Sequence, residues 1–341
     1  MKKILSTIVA IFLLANTVVF ASEIEIQPTF ISRTNEQDRV WVGAFQLVWN
    51  DFIDKIVFGP IRFREGTPTF VRDLNAKTFT VNHISEKSYY KYVGKVKKNT
   101  KRQISKAIKK KFKESSDILN KLDLTARNDM YLIYAMLKKD FEFLNAFDKL
   151  GRFEFSDDSV ADYFGIGADS EKHLAEGVNV LFYNDPTEFA VRLATTGPDE
   201  VFIYKNKSNK AFNSLYDEMW KKELLYKGDK RFGNLDELRV PNISISEEKV
   251  FEELTNKRVM GTNLVIDKAL ETIKFEMNNK GVELKSEAAM TIVTTSLSPE
   301  DISPRFFYFD DTFVLFVKEK GKNKPYFAMR VNDITKFQQC K

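Results

Sequence analysis

The stretch Gly281-Val282-Glu283-Leu284-Lys285-Ser286-Glu287-Ala288-Ala289-Met290-Thr291-Ile292 decides how this chain is read. Successive side chains of an extended strand point to opposite faces. Val282, Leu284, Ser286, Ala288, Met290 and Ile292 then share one face, mostly apolar, and Glu283, Lys285, Glu287, Ala289 and Thr291 the other, mostly polar. That is the pattern of a half-buried strand. It runs into Thr294-Thr295-Ser296-Leu297-Ser298-Pro299, whose small hydroxyl residues and proline are loop chemistry. Beyond it, Phe313-Val314-Leu315-Phe316-Val317 and Tyr326-Phe327-Ala328-Met329-Arg330-Val331 flank a lysine and glycine turn around Gly321. These two runs predict a β-hairpin buried on most of its surface, and with it a folded carboxyl terminus.

Taken in order, several segments resemble the serpins, a family of large suicide-type protease inhibitors. They are Asn278-Asn279-Lys280-Gly281, Glu287-Ala288-Ala289-Met290-Thr291, Thr312-Phe313-Val314-Leu315-Phe316-Val317 and the 326–331 run. They resemble the family's hinge, reactive loop and two closing strands. Residues 238–245 resemble the strand that the family places before a short helix, expected here over 247–254 with Ser246 as N-cap. Residues 178–193 resemble a family hairpin. The likeness lies in the order of these segments, since no single one is diagnostic.

The resemblance implies a mechanism. A protease cuts an exposed bait loop, and the loop enters the main sheet as a new strand, dragging the acylated protease with it. On that reading Gly281, Val282, Glu283, Leu284, Ser286, Ala288 and Ala289 belong to the hinge and loop, and the cleaved bond falls near Thr295 and Ser296, or at Leu297-Ser298. Small polar residues there suit an elastase-like or subtilisin-like protease. The target would be a serine or cysteine protease, and inhibition requires strand entry to outrun deacylation. Two departures bear on speed. Leu284, Lys285 and Glu287 are bulky or charged where inhibitory members favour small residues, and the histidine that commonly supports the opening region of the main sheet is replaced, with Glu271 near its place.

Lys2 and Lys3 precede an apolar run over residues 4–20, with Val19 and Ala21 as the small residues before a cut. This predicts a signal peptide over 1–21 and one domain over 22–341, secreted or held in the cell envelope. A retained membrane helix is the rival reading of the run, with Ser6, Asn16 and Thr17 interrupting it. Cys340 is the only cysteine, so no intrachain disulfide can form. Without Lys2 and Lys3 the formal charge falls from +5 to +3, too small to imply a nucleic-acid partner. A monomer is expected.

Trp41, Phe45, Val48, Trp49, Phe52 and Ile56 recur at helical spacing, predicting an amphipathic helix that ends near Gly59-Pro60. Residues 87–113 hold many lysines and no acidic residue, with Ile104, Ile108, Phe112 and then Leu119 as a buried stripe. A helix displaying Lys98, Lys101, Arg102, Lys106, Lys109, Lys110 and Lys113 is either a solvated face or a site for an anionic polymer or envelope partner. Strands are expected over 178–183, 188–193 and 200–204, and a helix over 211–225 with Phe212, Leu215, Met219 and Trp220 inward. Helices first and mixed strands afterwards give an α+β class, with large mixed and antiparallel sheets and a carboxyl-terminal buried hairpin.

His83 and His173 have no neighbour at metal-ligand spacing, and no phosphate loop or nucleophile elbow is present. The acidic pairs Asp157-Asp158 and Asp310-Asp311 read as turn or surface groups. No catalytic residue, metal or cofactor is expected.

Overall fold

A computed structural model describes residues 24–113, 115–116, 119, 131–156, 159–266, 269–282 and 303–338. The signal-peptide expectation, the 283–302 segment, Asp157-Asp158 and Cys340 lie outside those residues.

The chain is α+β. Its largest sheet has seven strands in the order β1 (Glu25–Ile26), β2 (Arg39–Val42), β19 (Phe327–Val331), β18 (Phe313–Glu319), β10 (Asp199–Lys205), β9 (Glu188–Ala194) and β8 (Val178–Asp185). Only β1 and β2 are parallel. The expected closing hairpin stands at the centre of this sheet, with Phe313 opposite Val331 and Val317 opposite Phe327. Every residue of β18 and β19 is buried, as continuous apolar runs require. The helix over Phe212–Leu225 (α4) covers one face, where Phe212 and Tyr216 lie edge-on to Phe316. Trp220 packs on the same core from its margin.

A second sheet runs β17 (Phe306–Tyr308), β11 (Glu237–Pro241), β7 (Ser159–Ile166) and β6 (Asp148–Phe155). A third runs β12 (Ile243–Val250), β15 (Leu270–Asn278), β16 (Gly281–Val282) and β5 (Phe141–Glu142). Phe275 of β15 stacks on Phe327 with ring centres 4.4 Å apart, which joins the third sheet to the first through a shared core. Two short pairs complete the sheets among the described residues, β3 (Tyr89–Lys95) with β4 (Tyr131–Leu137) and β13 (Lys257–Arg258) with β14 (Val265–Ile266).

Three expectations need correction. Residues 238–245 are not one strand: β11 and β12 belong to different sheets, so the chain crosses between layers at Asn242. The helix expected over 247–254 is instead the end of β12 followed by a single turn at Glu252–Leu254, because Ile243 and Ile245 bury opposite Met277 and Phe275 and the ladder carries the next residues with it. Trp41 belongs to β2, not to the first helix, which is α1 (Ala44–Phe52). Its backbone hydrogen bonds go to β19, while Phe45, Trp49 and Phe52 keep the predicted helical stripe. Past Phe52 that helix widens into a π turn over Ile53–Val57 and stops at Phe58 in the left-handed conformation, φ 58°.

Candidate functional site

Residues 278–282 hold the structural end of the proposed hinge. Asn278 and Gly281 close β15 onto β16, and β16 pairs on its other side with β5, Gly281 opposite Glu142 and Val282 opposite Phe141. The turn is fastened from below. Phe143 N–H donates to Lys280 O at 2.9 Å, Phe147 N–H to Asn279 O at 2.8 Å, and the Asn279 amide to Phe147 O at 3.0 Å. Phe143 and Phe147 pack edge-on in the core, so the fastening rests on buried aromatic residues.

Gly281 is required here by a close approach. A Cβ at this position would lie 2.4 Å from Phe141 O and 2.7 Å from Glu142 Cα, and φ is +150°. Only glycine lets the backbone of β5 run this near. Val282, the next residue, is buried opposite Met277. Of the predicted hinge and loop residues these two are placed; Glu283, Leu284, Ser286, Ala288, Ala289, Thr295 and Ser296 lie outside the described residues.

Among the described residues, β15 from Leu270 to Glu276 pairs only with β12, and β4 pairs only with β3. The chain passes from β4 to β5 through Lys138, Lys139 and Asp140, and Lys139 anchors that passage. Its Nζ lies 2.9 Å from Asp199 Oδ1 and also bonds the Glu319 carboxylate. Asp199 and Glu319 face each other across β10 and β18, where two like charges repel unless a cation stands between them. Tyr326 donates to Asp199 at 2.9 Å, Ser85 N–H donates to Glu319 Oε2 at 2.8 Å, and Lys139 sits over the Tyr326 ring. Burial still holds the Asp199 carboxyl above its ordinary range against the pull of Lys139, and raises the Tyr326 phenol. No sequence signal singled out Lys139, because its partners come from strands 60 and more residues away.

The lysine-rich helix is α3 (Thr100–Phe112). Ile104, Ile108 and Phe112 are buried on one face, and with Leu119 they pack on Val96, Leu132 and Tyr134 in a small core of their own. Lys98 precedes the helix; Lys101, Arg102, Lys106, Lys109 and Lys110 lie along it, and Lys113 caps its end at φ 61°. None of these seven forms an ion pair with a described residue. The first turn carries Lys101 and Arg102 and no acid, which sets positive charge at the positive end of the helix dipole.

The remaining candidates are structural. Asp310 and Asp311 pair with Lys205 and Lys207, His83 Nδ1 accepts from Thr80 N–H at 2.8 Å, and His173 lies 3.0 Å from Glu171. No group of three potential metal ligands occurs among the described residues, and no helix of theirs is long and apolar enough to cross a membrane.

No protein-family model matches the chain, and no curated protein matches it either. Similar folds occur among solved structures. Those to which the chain is similar include a serpin. Serpin48, described as a highly specific serpin in the insect Tenebrio molitor, is 16% identical, covers 87% of this chain and 92% of its own, and superposes with a TM-score of 0.44. Human thyroxine-binding globulin, solved with its ligand, is 12% identical with coverage of 88% and 77% and a TM-score of 0.44. Human glycosylated kallistatin is 13% identical with coverage of 69% and 64% and a TM-score of 0.41.

Proposed function

We propose that the chain is a secreted serpin-like inhibitor of serine or cysteine proteases in which the segment after Val282 is a cleavable loop that then lengthens β16. The observation that carries this reading is that β16 is already hydrogen-bonded on both sides, to β15 and to β5. Continuing the two registers is simple arithmetic. Met277 faces Val282, so Phe275 would face Leu284, Ile273 would face Ser286 and Glu271 would face Ala288. On the other side Leu137 would face Ser286 and Ala135 would face Ala288. Met277, Phe275, Ile273 and Glu271 are the buried face of β15. The apolar alternation of 282–288 therefore matches the face it would join.

The chemistry is one acyl transfer. The protease nucleophile attacks the carbonyl carbon of the bond near Thr295-Ser296, the amine of the carboxyl-terminal fragment leaves with a proton, and an ester or thioester joins loop to protease. Strand entry must follow before water attacks that bond. Continued through the inserted loop, the same register would set Glu283 beside Glu276 and Asp140, and Lys285 beside Lys274 and Lys138. Like charges opposed across strands cost up to about 1 kcal/mol each. Entry is therefore slowed on the polar face and driven on the apolar one.

Incubation with elastase-like, subtilisin-like and cysteine proteases tests the reading. A complex that survives denaturant supports inhibition; clean cleavage of the loop with the protease left active overturns it. A second reading, a non-inhibitory protein that binds an anionic polymer or envelope partner through α3, is supported by the seven cations with no acidic partner among the described residues and by Lys101 and Arg102 in the first turn.

A further inference from the structure

Six carboxyl side chains are buried among the described residues: Asp38, Asp51, Asp199, Asp236, Glu271 and Glu319. Five have a cation. Asp38 pairs with Lys336, Asp51 with Lys55 and Lys91, Asp236 with Arg305, and Asp199 and Glu319 share Lys139. Glu271 has none, and neither of its carboxyl oxygens reaches a hydrogen-bond partner. It is 4% exposed, near the start of β15, on the face that buries Ile273, Phe275 and Met277.

The charged groups around it leave it alone. On β12, Lys249 stands directly across and Glu247 two positions further along, opposite Ile273; Lys249 is exposed and makes no ion pair with Glu271. On α1 the only acid beyond the first turns is Asp51, held by its two lysines. Phe251, beside the exposed Glu252 and Glu253, packs on Phe45 with ring centres 4.4 Å apart. Lys274 and Glu276 of β15 belong to its opposite face. What does point at Glu271 is the Phe45 N–H, in the first turn of α1, a helix with no side-chain cap and no acid in that turn. That N–H favours the charged form without closing a hydrogen bond, and burial opposes it more strongly.

We propose that Glu271, a buried carboxyl without a partner, is a proton-controlled latch between the start of β15 and the first turn of α1: as the neutral acid it lets the two pack, and its ionisation drives them apart. A carboxylate without partners cannot stay in this apolar seam. Ionised, it must reach the free N–H groups of α1 or water, and either move shifts the start of β15 against the helix. Burial pushes its pKa from 4.5 up to about 8. The sign follows from linkage. A folded pKa above the unfolded one gives stability that is complete below 4.5 and lost as pH rises through 8, tenfold in the folding equilibrium for each pH unit between. This inference stands whether or not the chain inhibits a protease.

The test compares the mature chain with Glu271→Gln by urea unfolding from pH 5 to pH 9. The ratio of the two folding constants should fall about tenfold per unit up to about pH 8 and then level. Parallel curves overturn the proposal. If the variant does not fold, carbon-13 labelled glutamate in the unmodified chain gives the same answer: one carboxyl must titrate near 8, and titration of every glutamate below 6 overturns it. Hydrogen exchange in the first turn of α1, faster at pH 9 than base catalysis alone requires in the unmodified chain but not in Glu271→Gln, identifies the latch; equal exchange in both removes it.

Discussion

Replacing Gly281 with alanine should break the start of the proposed insertion path. Two costs add at this position. The φ of +150° lies in a region that only glycine occupies readily, and holding alanine there costs about 1–3 kcal/mol. A Cβ 2.4 Å from Phe141 O must also move backbone, because its neighbours are main-chain atoms of β5 and not the end of a flexible side chain. Parting the strands also strains the neighbouring hydrogen bond from Phe143 N–H to Lys280 O, about 1 kcal/mol. Together these predict a loss of about 3 kcal/mol, read as a lower urea midpoint with an unchanged slope. Gly165→Ala is the matched comparison: its Cβ would lie 1.9 Å from Leu238 O with φ +153°, in a sheet far from the hinge in sequence. Both variants should lose stability, but only Gly281→Ala should change the rate at which a cleaved loop is taken up. Less than about 0.5 kcal/mol of destabilisation by Gly281→Ala would refute the close approach of β16 and β5.

Lys139→Met leaves Asp199 and Glu319 facing each other in a buried site, and removing one member of a buried ion pair costs about 3–5 kcal/mol. Urea unfolding should show that loss, and adding Asp199→Asn to the same chain should recover part of it. Charge reversal at Lys106, Lys109 and Lys110 should abolish salt-sensitive retention on an anionic resin with little change in thermal midpoint, since all three are exposed on α3. Retention unchanged by the reversal would remove α3 from the binding reading.

The closing hairpin, the 178–193 hairpin and α4 were legible because unbroken apolar runs and helical stripes report burial directly. What was hidden depended on pairing between distant segments. Trp41 fits the helical stripe of Phe45 and Trp49 by spacing, yet β19 claims its backbone. The acidic run after Ser246 looks like a capped helix, yet the ladder with β15 extends through Val250. Arg39 and Arg330 face each other, buried, across β2 and β19, a pairing that no local pattern announces. They survive there by donating to backbone carbonyls of Glu36, Gln37, Lys207, Ser208 and Lys210, with burial lowering both pKa values to about 10. At the candidate site, Gly281 and Val282 were readable from the alternation. Lys139 and the solitary Glu271 were not, because a side chain's partners, or their lack, emerge only when strands from four parts of the chain meet.

The central claim is that β16 is the first step of a longer strand, and loop cleavage tests it most directly. The chain should be nicked between Thr294 and Ser298 by a protease that is then removed, and its thermal midpoint compared with that of the intact chain. Lengthening β16 between β15 and β4 adds a ladder of hydrogen bonds and buried apolar surface, so the midpoint should rise by tens of degrees. A midpoint that stays the same or falls after complete cleavage contradicts the account.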